Sequence, residues 1–299
     1  MKDSKKVITR RDFIRGTAYL PLAVAMGLRM EAQEEITPLE KTNVILVRHA
    51  EAIDAQGRIN AKVIQRMLDD GVTTLLGKED PIESWKLLVK PTDVVGIKSN
   101  AWGPIPTPKE IEQAIKQRVI DAGVPEENIG IDDRGVLRNK IFLNSTALIN
   151  TRPIRTHHWA GIGGLIKNYI PFVPNPPDYH DNSCANLGAI WNLPIVKGKA
   201  RLNVLIMLRP LFHGIGPHHF DSTYMWSYKG ILVGTDPVAI DAVGLHILQA
   251  KRLDYFGEER PFRPPVTYIT QADNKYKLGT SDLRRINLVK LGWKDGILI

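Results

Sequence analysis

The sequence predicts an α/β fold, a mainly parallel sheet flanked by helices. Two observations carry that reading. Short β-branched runs alternate with amphipathic stretches of helical period along most of the chain. The length of 299 residues with 43% hydrophobic side chains is enough for a sizeable core that needs no disulfide or metal staple. In chain order, "NVILVRH" (43–49) reads as the first strand. Residues 60–76 follow as a helix, with Val63, Ile64, Met67 and Leu68 on one face. "TDVVGIKSN" (92–100) has the character of a strand buried on both faces. "PKEIEQAIKQRVIDAG" reads as a helix capped by Thr107, with Pro108 in its first turn and Gly123 at its end. "NIGIDD" (128–133), "STALINTRPI" (145–154), "RLNVLIMLRP" (201–210) and "KGILVGT" (229–235) are further strands. "DPVAIDAVGLHILQAKR" (236–252) is a helix capped by Asp236 with Pro237 at N1. The tail holds a short helix and a last strand.

Composition excludes several classes. The net charge is +8, but half of it sits in the first 32 residues, which carry seven basic and three acidic side chains. The mild remainder lacks the concentrated basic face of a nucleic-acid binder and suits a small anionic ligand. The single cysteine, Cys184, allows neither an intrachain disulfide nor a cysteine-ligated Fe–S cluster. No G-x-S-x-G surrounds Ser99, and no G-x-G-x-x-G follows the first strand, so neither a serine hydrolase nor a Rossmann dinucleotide site is indicated.

The N-terminus reads as a targeting segment. "TRRDFIRGTAYLPLAVAMGLRMEAQ" places Arg10 and Arg11 before an apolar run from Ala18 to Leu28, too short for a bilayer span of about 20 residues. The S/T-R-R-x-F-I pattern resembles a twin-arginine signal. It implies residues 1–32 as signal, 33–41 as linker and 42–299 as a single α/β domain. The partners expected are the twin-arginine export machinery and a small anionic ligand. Membrane contact would come only through the signal, and the location would be periplasmic or in the cell envelope.

In a parallel sheet, ligands bind beyond the carboxyl ends of the strands. Those ends carry Lys98, Ser99 and Asn100, then Asp132 and Asp133, then Asn150 and Arg152, then Thr235 and Asp236. "RTHHWAGIGGLIKN" (155–168) adds two histidines, a glycine turn and a lysine. Glycines before a helix leave N–H groups open to an anion, and a lysine adds a point charge or an amine for covalent attachment. The prolines at 171–177, in a long loop running to Asn192, suggest a lid or binding loop. Six of the eight histidines fall between 157 and 219, in spacings that fit no standard zinc signature.

"VVGIKSN", "LINTRPIRTHHWAGIGGLIKN" and "KGILVGTDPVAIDAV" together resemble the domain of unknown function 362 family. Its pattern pairs an I-K-x-N strand end with I-N-x-P-x-x-K-x-H, G-x-x-K-N and G-x-D-P-V-A-x-D-A. The resemblance spans roughly 41–290. Pro153 falls one place late, Arg155 replaces a usual lysine, and Gly163 a common threonine. The cysteine-rich ferredoxin segment of some members is missing. "HHWAGIGGLIK" also resembles, locally, the histidine–lysine loop of nickel-dependent lactate racemase, with His157, Ala160, Gly161, Gly164 and Lys167 in register. There the histidine serves acid–base chemistry and the lysine holds a nickel-pincer nucleotide.

The site expected from these readings has His157 and Lys167 as catalytic groups. Lys98, Asn100, Arg155, Gly163, Gly164, Asn168 and Asp236 would bind the ligand, and His180 and His218 are candidate metal ligands. Lys98, Asn100, Arg155, His157, Lys167 and Asp236 should line one pocket. Either an oxidoreductase or isomerase acting on a hydroxy or oxo acid, with a metal or a lysine-anchored cofactor, or a non-catalytic ligand carrier fits the pattern. If the leader is a twin-arginine signal, changing Arg10 and Arg11 together to lysine retains a tagged chain in the cytoplasm. Fractionation of cells would show it, and unchanged export would refute the assignment.

Overall fold

A computed structural model describes residues 41–214 and 220–299. The expected signal segment, all of the linker except Lys41, and residues 215–219, which include His218, lie outside the described residues. Glu40–Ile299 forms one unit by itself. Among the described residues no helix is long and apolar enough to cross a membrane.

The strands are β1 (Thr42–Arg48), β2 (Val95–Lys98), β3 (Ile129–Asp132), β4 (Ala147–His157), β5 (Gly161–Gly163), β6 (Ala200–Leu211), β7 (Gly230–Gly234) and β8 (Ile286–Gly292). They form one sheet in the order β3-β2-β4-β6-β7-β1-β8, with β5 added to the end of β4. Pairing is parallel for β3-β2, β2-β4, β4-β6 and β1-β8. It is antiparallel on both sides of β7 and at β5. The α/β class is therefore as the alternating pattern implies, with β7 running against its neighbours.

The helices are α1 (Ala61–Leu76), α2 (Pro81–Leu88), α3 (Lys109–Asp121), α4 (Lys140–Leu143), α5 (Pro237–Phe256) and α6 (Tyr268–Asn274). Alternate side chains of the strands feed two cores. Ile45, Val47, Ile97, Ile149 and Val204 pack with α1, α2 and α3. Val44, Leu46, Leu148 and Leu205 pack with α5, α6 and the loops after β5. Burial on both faces explains the unbroken apolar runs of β4 and β6. Asn60 caps α1 by accepting from the Val63 N–H, and Gly77 closes the helix at φ +64°. The helix α2, which lies between the periodic stretches recognised in the sequence, is capped by Asp80. Thr107 does not cap α3. Its hydroxyl accepts from the Asn100 N–H and closes the loop after β2, while Pro108 stands at the N-cap with no side-chain bond.

The stretch "GGLIKN" also departs from the sequence reading. Gly161–Gly163 forms β5, and a short 3-10 helix spans Lys167–Phe172, so the glycines lead into a 3-10 turn that starts at Lys167 and not into an α-helix. The turn's open N–H groups are already occupied. Asp241, wholly buried in α5, accepts from the Leu165 N–H at 2.7 Å and the Ile166 N–H at 3.0 Å. The Tyr268 hydroxyl accepts from the Gly164 N–H at 3.1 Å. The anion held by these amides is the protein's own carboxylate. Gly164 is required because a Cβ there would lie 2.4 Å from the Asp241 carboxylate, and one on Gly163 would lie 2.7 Å from the Arg152 guanidinium. Replacing Gly164 with alanine should displace Asp241 and cost on the order of 3 kcal/mol through overpacking and unpaired buried amides. A lowered urea midpoint at unchanged slope would show this. An unchanged midpoint would mean that the carboxylate has room to move.

Candidate functional site

The strand order supplies a crevice. From β2 the chain moves outward to β3, then crosses back to place β4 on the other side of β2. Neighbouring strands whose connections leave in opposite directions open a gap at their carboxyl ends. Here β2 stops at Lys98, opposite Asn150, while β4 runs on to His157. The projecting end of β4 forms one wall of a cavity of about 590 Å³. This is within the usual range for small-molecule sites.

Charged groups enter from three sides. Arg152, Arg155 and His157 come from β4, Asp133, Arg134 and Arg138 from the segment after β3, and Lys167 from the turn after β5. Asn100 and Trp102 follow β2, and Leu137, Ile170, Pro171 and Val173 supply apolar wall. Among the described residues Asp133 is the sole carboxylate of the lining, and it is already spent. It pairs with Lys98 at 2.5 Å and accepts from the Ala101 N–H at 2.9 Å. Burial pushes its carboxyl up, but Lys98 outweighs this and holds it below the ordinary range. The cavity therefore presents uncompensated positive charge.

Arg155 is the clearest instance. It is 5% exposed, and among the described residues its Nε and Nη1 have no hydrogen-bond partner. Its guanidinium carbon lies over the Trp102 ring, 4.0 Å from the centroid, a cation–π contact. Burial, then Arg152, work against its charge. Lys167 is buried too. Its Nζ meets only the Cys184 Sγ, at 3.7 Å, and among the described residues it has no ion pair with a carboxylate. Burial pulls its pKa down to about 8, with Arg152 and Arg155 acting in the same direction. Cys184 ends three successive residues of left-handed backbone, Asn182, Ser183 and Cys184, at φ +49°, +59° and +62°. Such a run in non-glycine residues costs conformational energy, and strain of this kind clusters at functional sites.

His157 accepts from the Trp159 N–H through Nδ1 at 3.2 Å, so the neutral ring carries its proton on Nε2. Burial, followed by Lys167 and Arg155, holds its pKa far below the usual range. Its ring stacks on His158 at 4.7 Å, His158 meets Trp159 at 4.0 Å, and Trp159 meets His180 at 3.9 Å. Burial, then Lys167, lowers His180 to about 4.

The structure brings together Asn100, Arg155, His157, Lys167, Asn168 and His180. It does not bring Lys98 or Asp236 to the cavity surface. Lys98 is wholly buried and acts behind Asp133. Asp236 lies towards the opposite end of the strands because β7 is antiparallel: Gly234 pairs with Asn203 near the start of β6. Its oxygens accept from the N–H groups of Val238, Ala239 and Thr280. Gly163 and Gly164 make room for Arg152 and Asp241 and do not line the cavity. Asp132 is a turn residue bonded to the Gly135 N–H and to Asn139. Among the described residues no group of three or more His, Cys, Asp or Glu could hold a metal ion. His180 packs on Trp159 and feels the Lys167 charge, and His218 lies outside the described residues. This donor set suits an anion better than a metal.

Some site residues carried little or no sequence signal. Trp102 and Arg138 lie in loops with no motif. Arg152 was visible only as a strand-end residue, although an arginine inside a buried strand next to a proline is itself unusual. Asn203 interrupts the apolar run of β6 and is fully buried. It joins a chain of amides in which Asn100 donates to Asn168, Asn168 to Asn150, Asn150 to Asn203, and Asn203 to the Thr235 carbonyl.

Residues 117–246 match the family model for a domain of unknown function, DUF362. Over this stretch, which runs from within α3 through β3, β4, the cavity loops, β6 and β7 into α5, the chain is similar to that family. The matched span is shorter than the 41–290 suggested by the motifs and leaves out Lys98, Asn100 and Trp102. No curated protein matches the chain significantly, and no solved structure does.

The Lys167 environment has a consequence for pH. In the folded protein the ammonium gives up its proton near pH 8, whereas the unfolded chain holds it to about 10.5. Between these values the unfolded state binds more protons, so stability rises with pH. Lys167→Met removes this component. The stability of the native protein relative to the variant should shift in favour of the native by about 1–3 kcal/mol from pH 7 to pH 10. Urea unfolding at the two pH values would test it, and a difference independent of pH would show that the lysine is solvated.

Proposed function

We propose that this is an exported protein that binds a small organic anion with an apolar body at the carboxyl ends of β2, β3 and β4. The observation that carries the reading is Arg155, a buried guanidinium two of whose nitrogens have no partner among the described residues, seated over the Trp102 ring. A buried charge without a partner is costly, and an anion in the cavity would offset that cost. Lys167, Arg152 and Arg138 add to the attraction, and Leu137, Ile170 and Val173 offer contact to an apolar remainder. Export rests on Arg10, Arg11 and the apolar run after them.

For chemistry at a hydroxy or oxo acid, this surrounding alters the roles expected of two residues. His157 among so many cations is neutral and is a poor base, so it serves as a hydrogen-bond donor through Nε2. Lys167 becomes the group able to exchange a proton near neutrality.

Calorimetric titration with phenylpyruvate and phenyl phosphate, and with phenethylammonium as a cationic control, tests the binding reading. The anions should bind and the cation should not, and Arg155→Met should weaken the anions at least tenfold, as for loss of a charge-assisted pair of about 1.5–3 kcal/mol. Equal affinity for native and variant would remove Arg155 from the site.

A further inference from the structure

We propose that Lys167 forms an imine with the carbonyl carbon of a 2-oxo acid whose carboxylate rests on Arg155. The proposal rests on the anion-binding reading above and adds a covalent step to it. Three observations support it. Lys167 lines the same cavity as Arg155 and is 4% exposed. Among the described residues its Nζ is held only by the Cys184 thiol, a weak acceptor that burial keeps protonated. A lysine serving merely as a counter-ion would be poised against a carboxylate, yet the cavity's Asp133 is committed to Lys98 instead. Desolvation beside other cations is the ordinary means of making a lysine nucleophilic. A 2-oxo acid fits because its electrophilic carbon is bonded directly to the carboxylate, so a guanidinium that fixes one group also places the other. The apolar wall of Leu137, Ile170 and Val173 takes its side chain.

The step balances as follows. The lone pair of the neutral Lys167 amine attacks the carbonyl carbon, the C–N bond forms, and the carbonyl electron pair moves to oxygen, which takes a proton. The carbinolamine then loses that oxygen as water, taking one further proton and leaving an iminium. From the ammonium and the ketone, the products are the iminium and one water, with no oxidant or reductant. The neutral His157 ring, with its Nε2 proton, lines the cavity as a donor to the oxygen that leaves. The charges of Arg152 and then Arg155 disfavour the ammonium form of Lys167, which favours the neutral amine before attack.

The experiment is reductive trapping on the full folded protein. Pyruvate and phenylpyruvate are incubated separately with cyanoborohydride, and the intact protein and its peptides are weighed. The expected result is one adduct per chain, heavier by the mass of the acid less one oxygen atom, located on the peptide containing Lys167. Lys167→Arg, which keeps the cation, should still bind phenylpyruvate in the titration but give no trapped adduct. Adducts scattered over exposed lysines, or none at all, would overturn the imine. If phenylpyruvate binds to the native protein without trapping, the covalent step fails and the anion site stands. If it neither binds nor traps, both readings fail.

Discussion

The grip of the Asp241 carboxylate on the Leu165 and Ile166 amides is the contact on which the site depends. It fastens the turn after β5 to helix α5 from beneath, and the next residue along that turn is Lys167. Together with the bonds that Asn150 and Trp191 donate to the Leu165 and Ile166 carbonyls, it keeps Lys167 buried opposite β4. The arrangement needs a residue without Cβ at 164, a tyrosine hydroxyl to receive the third amide, and a helix that places a carboxylate five positions after its own cap. Burial pushes Asp241 up to about 7 while the two amides pull it down, so the group balances charge against hydrogen bonding.

The class of fold was legible in the sequence because both cores are built from strictly patterned segments. Asn60, Asp236 and Pro237 mark helix starts through local chemistry that needs no tertiary information. The site was legible in part. Arg155, His157 and Lys167 stand close in sequence around a turn, so any fold that closes the turn brings them near one another. Asp236 shows where such reasoning stops. The rule that ligands gather at carboxyl ends holds only for parallel strands, and no local signal states that β7 runs the other way. The glycine turn misleads for a related reason. Open amides attract an anion, but a sequence does not reveal whether that anion is a ligand or a carboxylate 75 residues away.

Electrostatically the cavity is a deficit. Partly buried ion pairs such as Arg118 with Asp69 are closed within the protein, whereas Arg155 and Lys167 are buried with no ion pair to a carboxylate among the described residues. A folded chain tolerates this only by drawing on its two apolar cores. Sites organised for function commonly depart in this way from what stability alone would select.

The asparagine chain running from Asn100 to the Thr235 carbonyl has no protons to gain or lose over any pH the protein meets. Carboxylates could have tied the same strands together, but each would have altered the field in the cavity and loosened as it titrated. Amides tie β2, β4, β6 and the end of β7 without a formal charge, so the frame is electrically silent. An arriving anion can therefore rewrite the protonation of Lys167 and His157 while the walls around them keep their shape.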